Sequence, residues 1–516
     1  MSSARRRPCS ATRSRTPCWS SRYTSGCAAR PSCSGRWTRT GACGTRTTPA
    51  HRPLPDRVSD DPYTIRPGET REPPQGLLAR LRNLGPGIVV SGSIVGSGEI
   101  LLTAGLGAAA GFVLLWWVLF SCWIKSLIQA ELARYVITTG DTYLRALNRL
   151  PGKLRFFNKE RVAWPIWLGL VGFVPGILIG GGIIGGAGQA LGLLLGPVVP
   201  GMTETWATVS AAALVMLILG TGAYMRLEKA MLVLVMSFTA ATIVSALLMQ
   251  TTEFRATGAD ILSGLTFDFP LEHAVLALAM YGATGVASGE IAAYTYWCVE
   301  KGYPTFVGGD RNDPGWVDRA RGWIRVVQTD VWVTLIILTF ATLSFFFLGA
   351  GVLHRIGELP SGSETIAVLS RMYTQTLGPW SFWLFSFGAF CILFSTSLSG
   401  IGAGSRSFPD LLVTLGFIPR SNLALRRRWI AGYVVAMPIV SGGLYLWFPQ
   451  PIVLVTFGAT YGAFMLPLQS FLTFYLQKRR MDARVLPQPW VRWAVAGIFV
   501  VQAFLSLFII RNILFA

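Results

Sequence analysis

Apolar stretches of about 20 residues, each long enough to cross a bilayer as a helix, recur from Leu84 to the end of this chain. They fall near 85–108, 111–137, 164–193, 204–222, 228–249, 271–300, 323–349, 378–402, 429–448, 451–476 and 489–511, about eleven spans. Pro165 and Pro175 interrupt the third, because proline removes a helix hydrogen bond. Charged residues make up only 14% of the chain, whereas a soluble domain carries roughly 25%. The expectation is an all-α polytopic membrane protein, since lipid leaves every backbone group to be satisfied within its own helix.

The net charge of +20 invites a nucleic-acid reading that its distribution excludes. Residues 1–57 hold about a dozen Arg and a single acid, Asp56. The rest of the excess lies in alternate loops. Arg145, Arg149, Lys153, Arg155, Lys159 and Arg161 share one such loop, and Arg226 and Lys229 the next. Lys301, Arg311, Arg319 and Arg321 follow, then Arg406, Arg420 and Arg426 to Arg428, then Lys478, Arg479, Arg480 and Arg484. The opposite loops offer little beyond Arg255, Arg355 and Arg371. That bias predicts a multi-pass protein of the cell membrane with its N-terminus cytoplasmic and its C-terminus extracytoplasmic. Residues 1–80 read as a disordered basic cytoplasmic tail. Much of it has the composition of sequence translated upstream of a true start, with Val58 a candidate start. Cys9, Cys18, Cys27, Cys33 and Cys43 lie in that tail without metal-site spacing, and Cys122, Cys298 and Cys391 fall in apolar runs as small hydrophobes.

One short run occurs twice. Val95-Gly96-Ser97-Gly98-Glu99-Ile100 lies in the first span and Val286-Ala287-Ser288-Gly289-Glu290-Ile291 in the sixth, with Ser93 answering Thr284. Five spans separate the copies, so they point opposite ways across the membrane, which predicts two inverted repeats of five helices each. The first repeat covers 81–250, the second 251–480, and an eleventh helix with the C-terminus 481–516. Glycines and serine in an apolar span favour unwinding, and unwound backbone at that depth requires burial or a cavity. Its freed carbonyls suit cations and its freed N–H groups suit anions. The candidate substrate-binding residues are therefore Gly96, Ser97, Gly98, Glu99, Gly285, Val286, Ala287, Ser288 and Glu290. Glu99 and Glu290 are the candidate metal ligands, with Ser97 and Ser288 as helix caps.

Gly85-Pro86-Gly87, Leu127-Ile128-Gln129 and Gly282-Ala283-Thr284 resemble the corresponding segments of the Nramp divalent-metal transporters, and the likeness runs over most of 84–511. The resemblance implies a LeuT-type fold, substrate held between the first and sixth helices, and proton-linked metal uptake. The chain departs from that pattern at the chemistry. Gly96-Ser97-Gly98-Glu99 stands where the family has Asp-Pro-Gly-Asn, and Val286-Ala287-Ser288 where it has Met-Pro-His. The third span, from Gly180 to Gln189, carries no acid. With no thioether to select a soft metal, the oxygen-rich motif suits a harder cation such as Mg²⁺.

Lys125 and Glu131 in the second span form a candidate coupling or ion pair, with Glu99 or Glu290 as further partners for Lys125. Asp330 and Gln328 read as the start of the seventh span, and Ser395, Thr396, Ser397 and Ser399 as packing hydroxyls. No nucleotide-binding loop, nucleophile elbow or zinc-hydrolase motif is present. The chain reads as a divalent-cation transporter, with Mg or Mn class cargo and protons as coupling ion, and as neither an enzyme nor a cofactor protein. A symporter for a small organic or amino-acid solute is the alternative, and a transporter-derived sensor or scaffold a third. Monomer and homo-oligomer both stay open.

Overall fold

The computed structural model describes residues 65, 68–83, 96–155, 160–222, 224–419 and 422–515. Residues 1–64, most of the basic tail, and residues 84–95, the first half of the first span with Ser93, lie outside the described residues. The end of the tail is placed: a helix runs over Leu77–Arg82, and the Arg71 N–H donates to the Phe306 carbonyl at 3.0 Å. The described helices are α1 (Gly98–Ala110), α2 (Leu115–Thr139), α3 (Trp164–Leu195), α4 (Glu204–Gly220) and α5 (Tyr224–Met249). The sixth span is split into α6 (Ala274–Ala283) and α7 (Ser288–Glu300). Then come α8 (Trp316–Leu348), α9 (Thr365–Leu377), α10 (Ser381–Thr414), α11 (Leu423–Trp447), α12 (Pro451–Arg479) and α13 (Pro489–Phe515).

Among the described residues, eight helices are long and apolar enough to cross a membrane, α6 and α7 counting as one with the turn before them. The first, second and fourth spans complete the expected order. α1 and α4 are shorter apolar helices. α2 is 25 residues long but buries Lys125 and Glu131. α9, which is not among the expected spans, is a short amphipathic helix that buries Ile366, Leu369 and Tyr373 along one face. The seventh span starts earlier than expected, at Trp316. Asp330 is therefore inside α8, buried, accepting a 2.8 Å hydrogen bond from the Tyr294 hydroxyl.

Helices that correspond in the two repeats pack on each other. α1 lies against α6, α2 against α8, α3 against α10 and α4 against α11. α12 packs on both α3 and α6 and so ties the two sets together. The glycine-rich α3 makes this close approach possible. A Cβ at Gly182 would stand 2.5 Å from the Pro451 carbonyl oxygen, and one at Gly188 2.7 Å from the Thr208 Cα. Small residues that let backbones touch do the work that the hydrophobic effect cannot do between helices in lipid. The outer faces are apolar, as at Trp332, Ile336 and Phe340, exposed one turn apart on α8.

Candidate functional site

The two copies of the repeated run make the same glutamate-to-backbone contact. Glu99 Oε2 accepts the Gly96 N–H at 3.0 Å, and Glu290 Oε2 accepts the Ala287 N–H at 2.9 Å. In each copy the glutamate reaches back three residues to the N–H that opens its half-helix, the reciprocal half of a capping box. The serines were expected to cap these ends. Neither does; the helix-opening contact in each copy is made by the carboxylate, on the N–H of the residue before the serine.

Surroundings then separate the copies. Glu99 is fully buried, and its second oxygen accepts the Gly285 N–H at 3.1 Å. One carboxylate thus joins the start of α1 to the break in the sixth span. The approach is close: a Cβ at Gly98 would come within 2.6 Å of the Ala283 carbonyl oxygen. Gly285 has φ +68°, a left-handed conformation that turns its N–H toward Glu99 and that other residues adopt only at a cost.

Lys125, also fully buried, donates to the Tyr281 carbonyl at 2.6 Å and to the Thr284 carbonyl. Both carbonyls belong to the C-terminal end of α6, where partial negative charge collects. The Tyr281 ring centroid lies 5.0 Å from the ammonium, in cation–π range. A direct pair between Lys125 and a glutamate was expected. Instead Lys125 and Glu99 hold opposite ends of a single peptide unit, its carbonyl on Thr284 and its N–H on Gly285. Glu131 is not part of this group. It pairs with Arg134 at 2.9 Å and accepts from Gln477 at 3.0 Å.

Glu290 is only partly buried and lines a cavity of about 400 Å³. Ser97, Ser288, Tyr143, Tyr296 and Thr396 add hydroxyls to its wall, while Phe173, Ile183 and Trp297 are among the residues that make most of its surface apolar. Among the described residues, Glu290 Oε1 has no hydrogen-bond partner. Val286 is buried beside this wall. Thr396 and Ser399 face the cavity although their hydroxyls bond to carbonyls of their own helix. Among the described residues, no cluster of three or more His, Cys, Asp or Glu could hold a metal ion.

Two contributors escaped the sequence. Gln469 of α12 donates to the Ser288 carbonyl at 2.8 Å and to the Tyr143 hydroxyl at 3.3 Å, fixing one edge of the cavity. Asp410 of α10 accepts from Thr142 at 3.2 Å and from the cavity-lining Tyr296 at 2.7 Å. Each is a buried polar residue within an apolar helix, and that was the available signal.

The family model described as natural resistance-associated macrophage protein-like, Nramp, matches residues 87–511. An uncharacterized protein of Pasteurella multocida is 26% identical over 340 residues, 63% of this chain and 69% of that one. A solved manganese transporter of Eremococcus coleocola superposes with a TM-score of 0.58 at 14% identity, covering 87% of this chain and 90% of that one. MhsT in complex with L-phenylalanine gives 0.55 at 16% identity, covering 85% and 99%. The fold is the LeuT type, two inverted five-helix repeats plus an eleventh helix. With the match extending over nearly all of the membrane region, the chain belongs to the Nramp family.

Proposed function

We propose that this chain is a secondary transporter that carries a divalent metal ion through the cavity beside α7, with Glu290 as the carboxylate the ion meets. The observation that carries this reading is the Glu290 oxygen that has no hydrogen-bond partner among the described residues, on a cavity whose other polar groups include several hydroxyls. Family membership supports metal as the cargo. One carboxylate with hydroxyls is a hard, oxygen-only donor set, which favours Mg²⁺ over a soft transition metal. The volume fits a hydrated ion. About 400 Å³ has room for roughly a dozen waters at about 30 Å³ each, and Mg²⁺ sheds its waters reluctantly. With the Arg-rich helix ends in the cytoplasm, the cavity, which reaches Tyr143 and Arg406, faces inward. Rocking of the α3, α4, α10 and α11 scaffold against the other helices would expose it to the opposite side, and protons are the expected coupling ion.

Uptake of Mg²⁺ and Mn²⁺ into proteoliposomes, with and without an imposed pH gradient, tests this reading. Wild type should accumulate Mg²⁺, and E290Q should lose about ten-fold or more of the rate, the loss that corresponds to about 1.5–3 kcal/mol for an interaction with a charged group. Equal uptake by both proteins, or none by wild type, would remove it. A second reading has its own observation. The apolar part of the wall, with Phe173 and Trp297, suits the body of a small organic solute. Amino-acid accumulation without metal uptake in the same vesicles would establish that alternative.

A further inference from the structure

We propose that the carbonyl end of α6, together with Glu99, is a cation-binding site that the protein fills from within by the ammonium of Lys125. This site is built from the break in the sixth span and the start of α1, and it is independent of which solute the cavity carries.

A helix that stops inside a membrane leaves its last carbonyls without intrahelical partners. At the end of α6 these include Tyr281 and Thr284, and neither can turn to water, because Tyr281, Thr284 and Gly285 are buried. A cation is the natural partner for such a cluster. Every neighbour of the Lys125 nitrogen favours positive charge: two carbonyl oxygens, the face of the Tyr281 ring, and the Thr284–Gly285 peptide dipole backed by Glu99. That dipole is aligned with both charges, its oxygen toward the ammonium and its N–H toward the carboxylate. Each interaction therefore strengthens the other.

Two consequences follow. The joint between the first and sixth spans is neutral overall and needs no ion from solution to form. A transported cation is also kept away from the α6 carbonyls by a charge tethered there, and is left to the Glu290 side. A soluble cation has translational freedom to lose on binding, whereas a side chain on α2 is already in place.

The test is to empty the site and ask what refills it. Thermal unfolding of purified wild type and Lys125→Ala is followed in N-methyl-glucamine buffer with chelator, then with added ethylammonium, Na⁺ or K⁺. Wild type should not respond. The variant should melt roughly 5–10 °C lower, and at least one of the three cations should restore most of that loss saturably. A variant that melts with wild type overturns the proposal. So does a destabilised variant that none of the three cations restores, or a wild type that responds as the variant does. If Lys125→Ala cannot be purified, E99Q/K125M is compared with K125M. Removing both charges should recover stability lost by removing one, and a double variant no better than the single would overturn the proposal.

Discussion

Glu99 and Glu290 stand at the same place in two copies of one six-residue run, make the same backbone contact, and face different worlds. Glu99 has both oxygens on N–H groups and no exposed surface. Glu290 spends one oxygen on its cap and turns the other toward a cavity. The difference comes from what packs around each copy. α2 brings Lys125 and closes the site at Gly285, while α7 borders open space. Local sequence thus fixes the cap, and the neighbouring helices decide whether the carboxylate is a joint or a ligand.

Removing the carboxylates should separate the two roles most sharply. Glu99→Ala leaves the Gly96 and Gly285 N–H groups without their acceptor and the nearby buried ammonium without a counter-charge, at a cost of about 3–5 kcal/mol, read as a lowered melting temperature or loss of monodisperse protein. E290Q keeps an acceptor for the Ala287 N–H, so its melting temperature should stay close to wild type while transport falls. If E99Q also leaves stability untouched, the two copies are more alike than described here.

The glycines give the next largest contrast. Gly285→Ala meets the left-handed conformation and should cost about 1–2 kcal/mol, with the Glu99 contact weakened as well. Gly289→Ala has open space around it, and alanine is the better helix former by about 1 kcal/mol, so it should be neutral or stabilising. Matched thermal melts of the two variants check this.

The smallest effect is expected at the cavity edge. Gln469→Leu removes two hydrogen bonds, to Ser288 and Tyr143, worth about 1 kcal/mol each. It should raise the apparent KM for the transported solute more than it lowers stability. A change in stability alone would place Gln469 with the structural copy.

Much of this arrangement was legible in the sequence. Long apolar runs gave the spans, and the repeated run gave the inverted symmetry and led to the helix break that borders the cavity. Residue-level partners were less legible because they are set by packing between helices far apart in sequence. Lys125 was expected to meet a glutamate and meets two carbonyls. Glu131 was grouped with Lys125 and belongs with Arg134 and Gln477. Ser97 and Ser288 look like caps by composition, but the backbone contact in each copy is made by the carboxylate two residues on. Asp330 was assigned to a helix end because hydropathy falls off before residue 323, while α8 continues back to Trp316.

Calorimetric titration of purified protein with Mg²⁺, Mn²⁺ and Ca²⁺ tests the division of labour most directly, comparing wild type with E290Q and K125M. Wild type should bind Mg²⁺ in a saturable step that E290Q abolishes and K125M preserves. Saturable binding that survives E290Q, or no heat with any of the three metals alongside binding of an amino acid, would contradict the assignment of the cavity copy to a metal ion.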